Sequence, residues 1–307
     1  MKDKNILIAG GGGELGDCLI NHLKNSKYKI LVLDKKFKNK TKLDKIKYLK
    51  FDFLKKKKII NLPKNIDVIF FFVGMIGGKE SLEIHNFKKY LDINCETLIN
   101  FLKILDKKKV GKIIFTSTEH VYGDIILKKN DMTENEPNPK NFYGVSKLLS
   151  EKILYNYFKK KLTSIDILRF PRVITLTNEN LIVKLKTKVM SNKKIYLDNL
   201  NLKFNFIFIN DLLSAFENCI NQKNSKFRVL NIFNNSKPIS LAEIIKVIKK
   251  ELLINFEIKY LKNKLLKNHN PINLKVSNKF TKELLKWKPE FTNKQIIKKI
   301  VNKNEIK

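Results

Sequence analysis

The sequence predicts an α/β protein, a doubly wound parallel sheet joined to a smaller C-terminal lobe. Three observations predict it. The apolar run Ile6-Leu7-Ile8 leads straight into the glycine-rich stretch Ala9-Gly10-Gly11-Gly12-Gly13-Glu14-Leu15-Gly16. Strand-like and helix-like patterns then alternate through the first half of the chain, as a parallel sheet with crossover helices requires. The 307 residues, 43% of them hydrophobic, are enough for a large sheet domain and a second lobe.

Taken in order, residues 5–9 read as the first strand, 15–24 as a helix and 29–33 as the second strand. A third strand falls over 46–51 and a fourth over 68–73, followed by a helix over 90–105. The continuous apolar run at 112–117 marks a strand buried on both faces. An amphipathic helix over 145–159, with Tyr143 and Lys147 at its start, precedes a sixth strand over 164–169. Beyond Pro171 the pattern is irregular, with short strands over 204–209 and 229–233 and a helix over 241–252. Residues 1–170, joined later by about 204–235, are expected to form the sheet domain, and 171–203 with 236–307 the lobe.

The glycine stretch carries the first chemistry. A strand, a tight glycine turn and a helix N-terminus together hold the pyrophosphate of a dinucleotide, because backbone N–H groups approach the phosphates and the helix end is partly positive. This is the Rossmann arrangement, and two spacings fit it: Gly11-x-Gly13-x-x-Gly16 and Gly10-x-x-Gly13-x-x-Gly16. Asp34 closes the second strand 18 residues beyond Gly16, near the position of a carboxylate that holds the adenine ribose. Such a carboxylate repels a 2′-phosphate and favours NAD over NADP, although Lys35 and Lys36 offset part of that repulsion. Asp52, ending the third strand, is expected near the adenine; an ordinary acidic loop residue is the alternative for both aspartates.

Ser117-Thr118 and Tyr143-x-x-x-Lys147 carry the second. Thr118 lies at the C-terminal end of a buried strand, where open α/β sheets bind ligands. Tyr143 and Lys147 are four apart and share one helix face. A free tyrosine, with a pKa of about 10, is a poor base at neutral pH, and a nearby ammonium lowers that value. The pair can move a proton to or from a hydroxyl while a hydride moves to or from nicotinamide, with Thr118 holding the same hydroxyl.

At these residues the chain resembles the extended short-chain dehydrogenases/reductases, the NAD-dependent epimerase/dehydratase group that acts mainly on nucleotide sugars. The residues from Ala9 to Gly16 resemble its TGGxGxxG, with Ala at the Thr position. Asp92-Ile93-Asn94-Cys95-Glu96-Thr97-Leu98-Ile99-Asn100 resembles its N-x-x-G-T-x-N/H segment, with Glu96 where glycine is usual. Ser117-Thr118-Glu119-His120-Val121-Tyr122-Gly123 and Pro139-Lys140-Asn141-Phe142-Tyr143-Gly144-Val145-Ser146-Lys147 resemble two further blocks, and Leu285-Lys286-Trp287-Lys288-Pro289 its closing L-G-W-x-P. The resemblance implies catalytic roles for Tyr143, Lys147 and Thr118. It implies cofactor contacts at Gly10, Gly13, Glu14, Leu15, Gly16, Asp34, Asp52, Phe53, Val73, Gly74, Asn94, Tyr143 and Lys147. It implies substrate contacts at Ser117, Glu119, His120 and Arg172, and a homodimer packed through the helices around 90–105 and 145–159.

Two departures bear on substrate. The family's R-x-x-N is here Arg169-Phe170-Pro171-Arg172, and an arginine that usually binds the substrate's phosphates is here Phe204. Glu119-His120 bears on reaction type. The family's 4,6-dehydratases use an acid and a base there, whereas strand alternation would point these two to opposite faces as plain loop residues. The resemblance therefore implies an NAD-dependent nucleotide-sugar epimerase acting through a keto sugar. A 4,6-dehydratase or sugar reductase is the first alternative, and a non-catalytic dinucleotide-binding regulator the second.

The net charge of +34 raises nucleic-acid binding. Only Arg169, Arg172 and Arg228 are arginine, and the other 60 basic residues are lysine, spread along the chain with short runs such as 55–58 and 107–109. Base-reading surfaces favour arginine, and lysine, asparagine and isoleucine share AT-rich codons, so no nucleic-acid partner is expected. The field still attracts anionic ligands. Cys18, Cys95 and Cys219 are unclustered, as in a reducing cytoplasm. His22, His85, His120 and His269 show no metal-ligand spacing, so no metal is expected. The apolar start is too short for a signal peptide, and no run is long enough to cross a membrane.

Overall fold

The alternating sequence Ile6-Leu7-Ile8-Ala9 sends every second side chain to the same face of a sheet, and all four are buried. Burial on both faces requires a helix layer on each, and the computed structural model has both. It describes residues 3–55, 61–123, 137–176, 180–191, 194–197, 199–223, 225–260 and 276–303. Lys56, Lys57, Lys58 and His269 lie outside the described residues.

The chain runs β1 (Asn5–Ala9), α1 (Glu14–Leu23), β2 (Lys29–Asp34), β3 (Ile46–Lys50) and β4 (Asn65–Phe71). Then follow α2 (Phe87–Tyr90), α3 (Thr97–Leu105), β5 (Lys109–Thr118), α4 (Phe142–Phe158), β6 (Ser164–Phe170) and β7 (Arg172–Ile174). The remainder is α5 (Leu181–Ser191), β8 (Lys194–Leu197), β9 (Lys203–Phe204), β10 (Phe206–Phe208), α6 (Ile209–Asn221), β11 (Phe227–Asn231), β12 (Ile239–Ser240), α7 (Leu241–Leu252), β13 (Glu257–Tyr260), α8 (Lys279–Leu285) and α9 (Asn293–Val301).

Seven strands form one sheet in the order β11-β6-β5-β4-β1-β2-β3, and every pairing in it is parallel. The expected doubly wound sheet is therefore present. Ile6, Ile8, Val32 and Phe70 pack with α1 and α6 on one face, while Leu7, Leu33, Phe71 and Phe115 pack with α3 and α4 on the other. The chain leaves β1 toward β2 in one direction and returns to β4 on the other side. That reversal opens a crevice at the carboxyl ends of β1 and β4.

Asp166 on β6 is wholly buried and is bound by two Arg228 nitrogens, Nε at 2.5 Å and Nη2 at 2.9 Å, with Lys112 Nζ at 3.6 Å. Beyond β7, three two-stranded pairings, β10 with β7, β12 with β9 and β13 with β8, sit beside α5, α7 and α9. The strand expected over 204–209 is two strands broken at Asn205.

Two helices differ from expectation. The single helix over 90–105 is α2, a π-helical turn at Leu91–Glu96 and α3. Hydroxyls enter the widened turn: Thr97 Oγ1 donates to the Ile93 carbonyl at 2.6 Å and Ser150 Oγ to the Asn94 carbonyl at 3.0 Å. Helix α4 is not an ordinary amphipathic helix, since its buried side holds Ser146, Lys147, Ser150 and Glu151 as well as Leu154 and Phe158. That polar face belongs to the site.

Candidate active site

The glycine turn is shaped by close backbone approach. Gly10 has φ +84°, and a methyl on it would meet Val73 N at 2.6 Å, so the turns after β1 and β4 touch. A methyl on Gly16 would lie 2.4 Å from Gly11 Cα, which fixes α1 against the turn. Gly13, the residue before α1, has open space around it, with Gly10 O at 3.4 Å the nearest contact. Its neighbourhood is the uncapped helix end, where free N–H groups meet an anion. Asp34 ends β2 beside this turn and accepts from Gly12 N at 3.0 Å and Lys36 N at 3.2 Å. A pyrophosphate on the turn and a ribose at Asp34 suit this cradle.

The other expected cofactor residues divide. Glu14 Oε1 accepts from Thr175 Oγ1 at 2.5 Å, tying the turn to the segment after β7, and Leu15 packs against the core. Asp52 caps its own turn by accepting from Leu54 N at 3.1 Å. The Phe53 ring lies in the core against Phe51, Phe71 and Phe101. Gly74 is beside the site: a methyl there would lie 3.1 Å from Asn94 Oδ1 and 3.8 Å from Lys147 Nζ.

Asn94, on the π-helical turn, joins three elements. Its Oδ1 accepts from Met75 N at 2.7 Å, and its Nδ2 donates to Met75 O at 3.3 Å and to Ser146 Oγ at 2.8 Å. Extra turns of this kind recur at functional sites. Here it holds the loop after β4 against α4.

Thr118 ends β5, where its Oγ1 accepts from His120 N at 3.3 Å and its side chain lies close enough to the Tyr143 phenol to favour the ionised form. Burial pushes the Tyr143 phenol up to about 12; Thr118 opposes this, while Tyr90 and Glu119 raise it further. The rise is opposite to the fall expected from the sequence, because desolvation of the phenolate outweighs everything that favours it. Lys147 is also buried, its Nζ 4.2 Å from the centre of the Phe115 ring. Burial brings its ammonium down to about 8 against the pull of Glu151 and Cys95. Ser117 Oγ is 2.5 Å from Glu151 Oε1, and Arg169 binds the same carboxylate through Nε at 3.1 Å and Nη2 at 2.6 Å. Ser117 is thus committed to the frame under the site.

Glu119 and His120 do not continue the strand. They form a turn of 3-10 helix capped by Thr118, so the alternation expected for them does not apply. Glu119 is buried, accepts from Asn205 Nδ2 at 3.0 Å, and is raised to about 7 by desolvation, with Asn205 and Arg172 opposing. His120 Nδ1 is 2.9 Å from Asn141 Nδ2, and its ring centre is 5.4 Å from that of Tyr143. Burial, then Arg172, lowers His120 to about 4, leaving it neutral near pH 7.

The two departures from the family pattern meet in space: the Arg172 guanidinium lies 5.7 Å from the centre of the Phe204 ring. Four residues of this site went unassigned in the sequence. Asn141 caps α4 by accepting from Gly144 N at 2.8 Å, and an asparagine ahead of an apolar run was its signal. Ser146 stands in the block that carries Tyr143 and Lys147, which was its signal, whereas Glu151 and Asn205 had none, since each acts through a partner distant in sequence.

The sheet, its crevice and the glycine turn define a dinucleotide-binding α/β protein. A sequence model of the NAD dependent epimerase/dehydratase family matches residues 6–232. The chain belongs to that family. A Methanocaldococcus jannaschii protein described provisionally as a UDP-glucose 4-epimerase is 28% identical over 309 residues, covering 97% of each chain. A Mycoplasma genitalium UDP-glucose 4-epimerase is 31% identical over 176 residues, 54% of this chain and 51% of that one. A UDP-glucuronic acid 4-epimerase from Bacillus cereus, solved with UDP-glucuronic acid and NAD, superposes with TM-score 0.79 at 21% identity over 97% of this chain and 98% of that one. At that identity the likeness shows the fold. Among the described residues, no group of three His, Cys, Asp or Glu could hold a metal ion, and no helix is long and apolar enough to cross a membrane.

Proposed function

We propose that this chain is an NAD-dependent nucleotide-sugar 4-epimerase. The observation that carries the reading is the convergence of Thr118, at the end of β5, with Tyr143 at the start of α4 and Lys147 one helical turn further along its buried face. Dinucleotide binding alone needs the glycine turn and Asp34, not this set. The similarity to proteins named UDP-glucose 4-epimerase supports the substrate class.

In this reading bound NAD would supply the hydride-accepting and hydride-returning chemistry that interconversion through a keto sugar needs. Gly10, Gly13 and Gly16 admit the pyrophosphate, Asp34 holds the adenine ribose, and Asn94 and Gly74 keep the loop beside the nicotinamide in place. Thr118 orients the reacting hydroxyl and Tyr143 carries its proton. Lys147 holds the nicotinamide ribose and stabilises the phenolate. Residues 1–170 and about 204–235 form the NAD-binding unit, and 171–203 with 236–307 the substrate lobe. A cytoplasmic homodimer fits the free cysteines and the exposed Leu149 and Tyr155 on α4.

One observation favours a second reading. Glu119, at about 7, can give or take a proton near neutral pH, as a 4,6-dehydratase requires. Tyr143→Phe tests the epimerase roles: turnover falls by roughly 10²–10⁴ while NAD stays bound. Unchanged turnover, or NAD lost with it, contradicts the assignment.

A further inference from the structure

Arginine is rare in this chain, and two of its three copies are fully engaged. Arg169 spends its fork on Glu151 and Arg228 on Asp166, each through two bonds to a buried carboxylate. Arg172 differs. Among the described residues it makes no hydrogen bond and no ion pair at contact distance, and it remains open to solvent.

Its surroundings hold it in place without using its donors. Phe204 lies beneath the guanidinium, and Phe204 is itself stacked on Phe206, with ring centres 6.0 Å apart and planes 4° from parallel. A planar guanidinium on an aromatic face keeps its N–H edge free for a second, coplanar partner. Glu119, the acid whose charge reaches Arg172, is held by Asn205 Nδ2 instead.

The position is at the reacting end of the sheet. Phe170, two residues earlier, pairs with Thr118. The charge of Arg172 is felt at both Glu119 and His120, the two residues that follow Thr118.

We propose that Arg172, braced on Phe204, binds an oxyanion of the substrate, either the diphosphate of the nucleotide or a carboxylate on the sugar. The inference rests on the nucleotide-sugar reading and adds the residue that selects for charge. A guanidinium fork matches either group through two parallel N–H···O bonds.

The test is calorimetric binding of UDP, UDP-glucose and UDP-glucuronic acid to the full-length, NAD-loaded protein, comparing wild type with Arg172→Ala and Arg172→Lys. If the fork holds the diphosphate, Arg172→Ala weakens all three ligands by roughly ten- to a hundred-fold. If it holds a sugar carboxylate, only UDP-glucuronic acid weakens. In both cases Arg172→Lys, which keeps the charge and loses the fork, falls between. Equal binding by wild type and both variants overturns the inference and leaves the nucleotide-sugar reading standing. Loss of NAD from both variants also overturns it, by placing Arg172 in the cofactor site or the fold. A wild type that binds none of the three overturns the nucleotide-sugar reading and this inference with it.

Discussion

Replacing Glu119 by Gln should stabilise the protein, and more so as the pH rises. The folded chain holds this carboxyl at about 7 against 4.5 for an unhindered glutamate, with desolvation as the main cause. Below pH 4.5 the group is protonated in both states and contributes nothing. Between 4.5 and 7 the unfolded chain releases the proton while the folded chain retains it, so stability falls as pH rises. Above 7 the full penalty is present, about 3 kcal/mol from the difference between those two values. Glutamine keeps an oxygen to accept from Asn205 and carries no charge to desolvate. Urea unfolding of both proteins at pH 8.5 should show the variant more stable by about 3 kcal/mol, and by less than about 1 kcal/mol at pH 5. Other titrating groups are common to both proteins and cancel. A stability difference that is the same at both pH values would refute the reasoning, because it would mean that Glu119 is solvated.

Other substitutions test the frame. Gly13→Ala has room for its methyl, so stability stays within about 1 kcal/mol of wild type, while NAD binding, followed by retained absorbance, is lost as the methyl enters the phosphate cradle. Asp166→Ala leaves Arg228 and Lys112 without their buried counter-charge and should destabilise by about 3–5 kcal/mol in denaturant melts. Lys286 sits at φ +49°, where the left-handed backbone disfavours a side chain, so Lys286→Gly should stabilise by about 1 kcal/mol.

The sheet was legible because its strands are continuous apolar runs in a fixed alternation with helices. β1 and α7 fall where the pattern puts them. Lys286 also follows from the sequence once the backbone is known: it stands at the glycine of the L-G-W element, and the chain adopts the glycine conformation there regardless. The site was legible at the residues whose spacing is local, such as Tyr143 with Lys147 or the glycine turn with Asp34. It was hidden wherever a role depends on a distant partner. Ser117 looked like a substrate contact, but its hydroxyl donates to Glu151, which Arg169 holds in place. The phenol of Tyr143 was expected to fall beside an ammonium, but burial, which no spacing reports, moves it the other way. The carbonyls of the π-helical turn at Leu91–Glu96 accept from hydroxyls of Thr97 and Ser150, and the apolar period of 90–105 carries no trace of that turn.

The central claim is isomerisation of a nucleotide sugar by a retained cofactor. The most direct measurement is mass spectrometry and absorbance of the purified protein incubated with UDP-, GDP- and dTDP-sugars. The account predicts NAD that stays with the protein and a product of unchanged mass with inverted configuration at one carbon. A product lighter by one water contradicts the epimerase and gives Glu119 its role as acid and base, and NAD binding with no sugar turned over contradicts the substrate class itself.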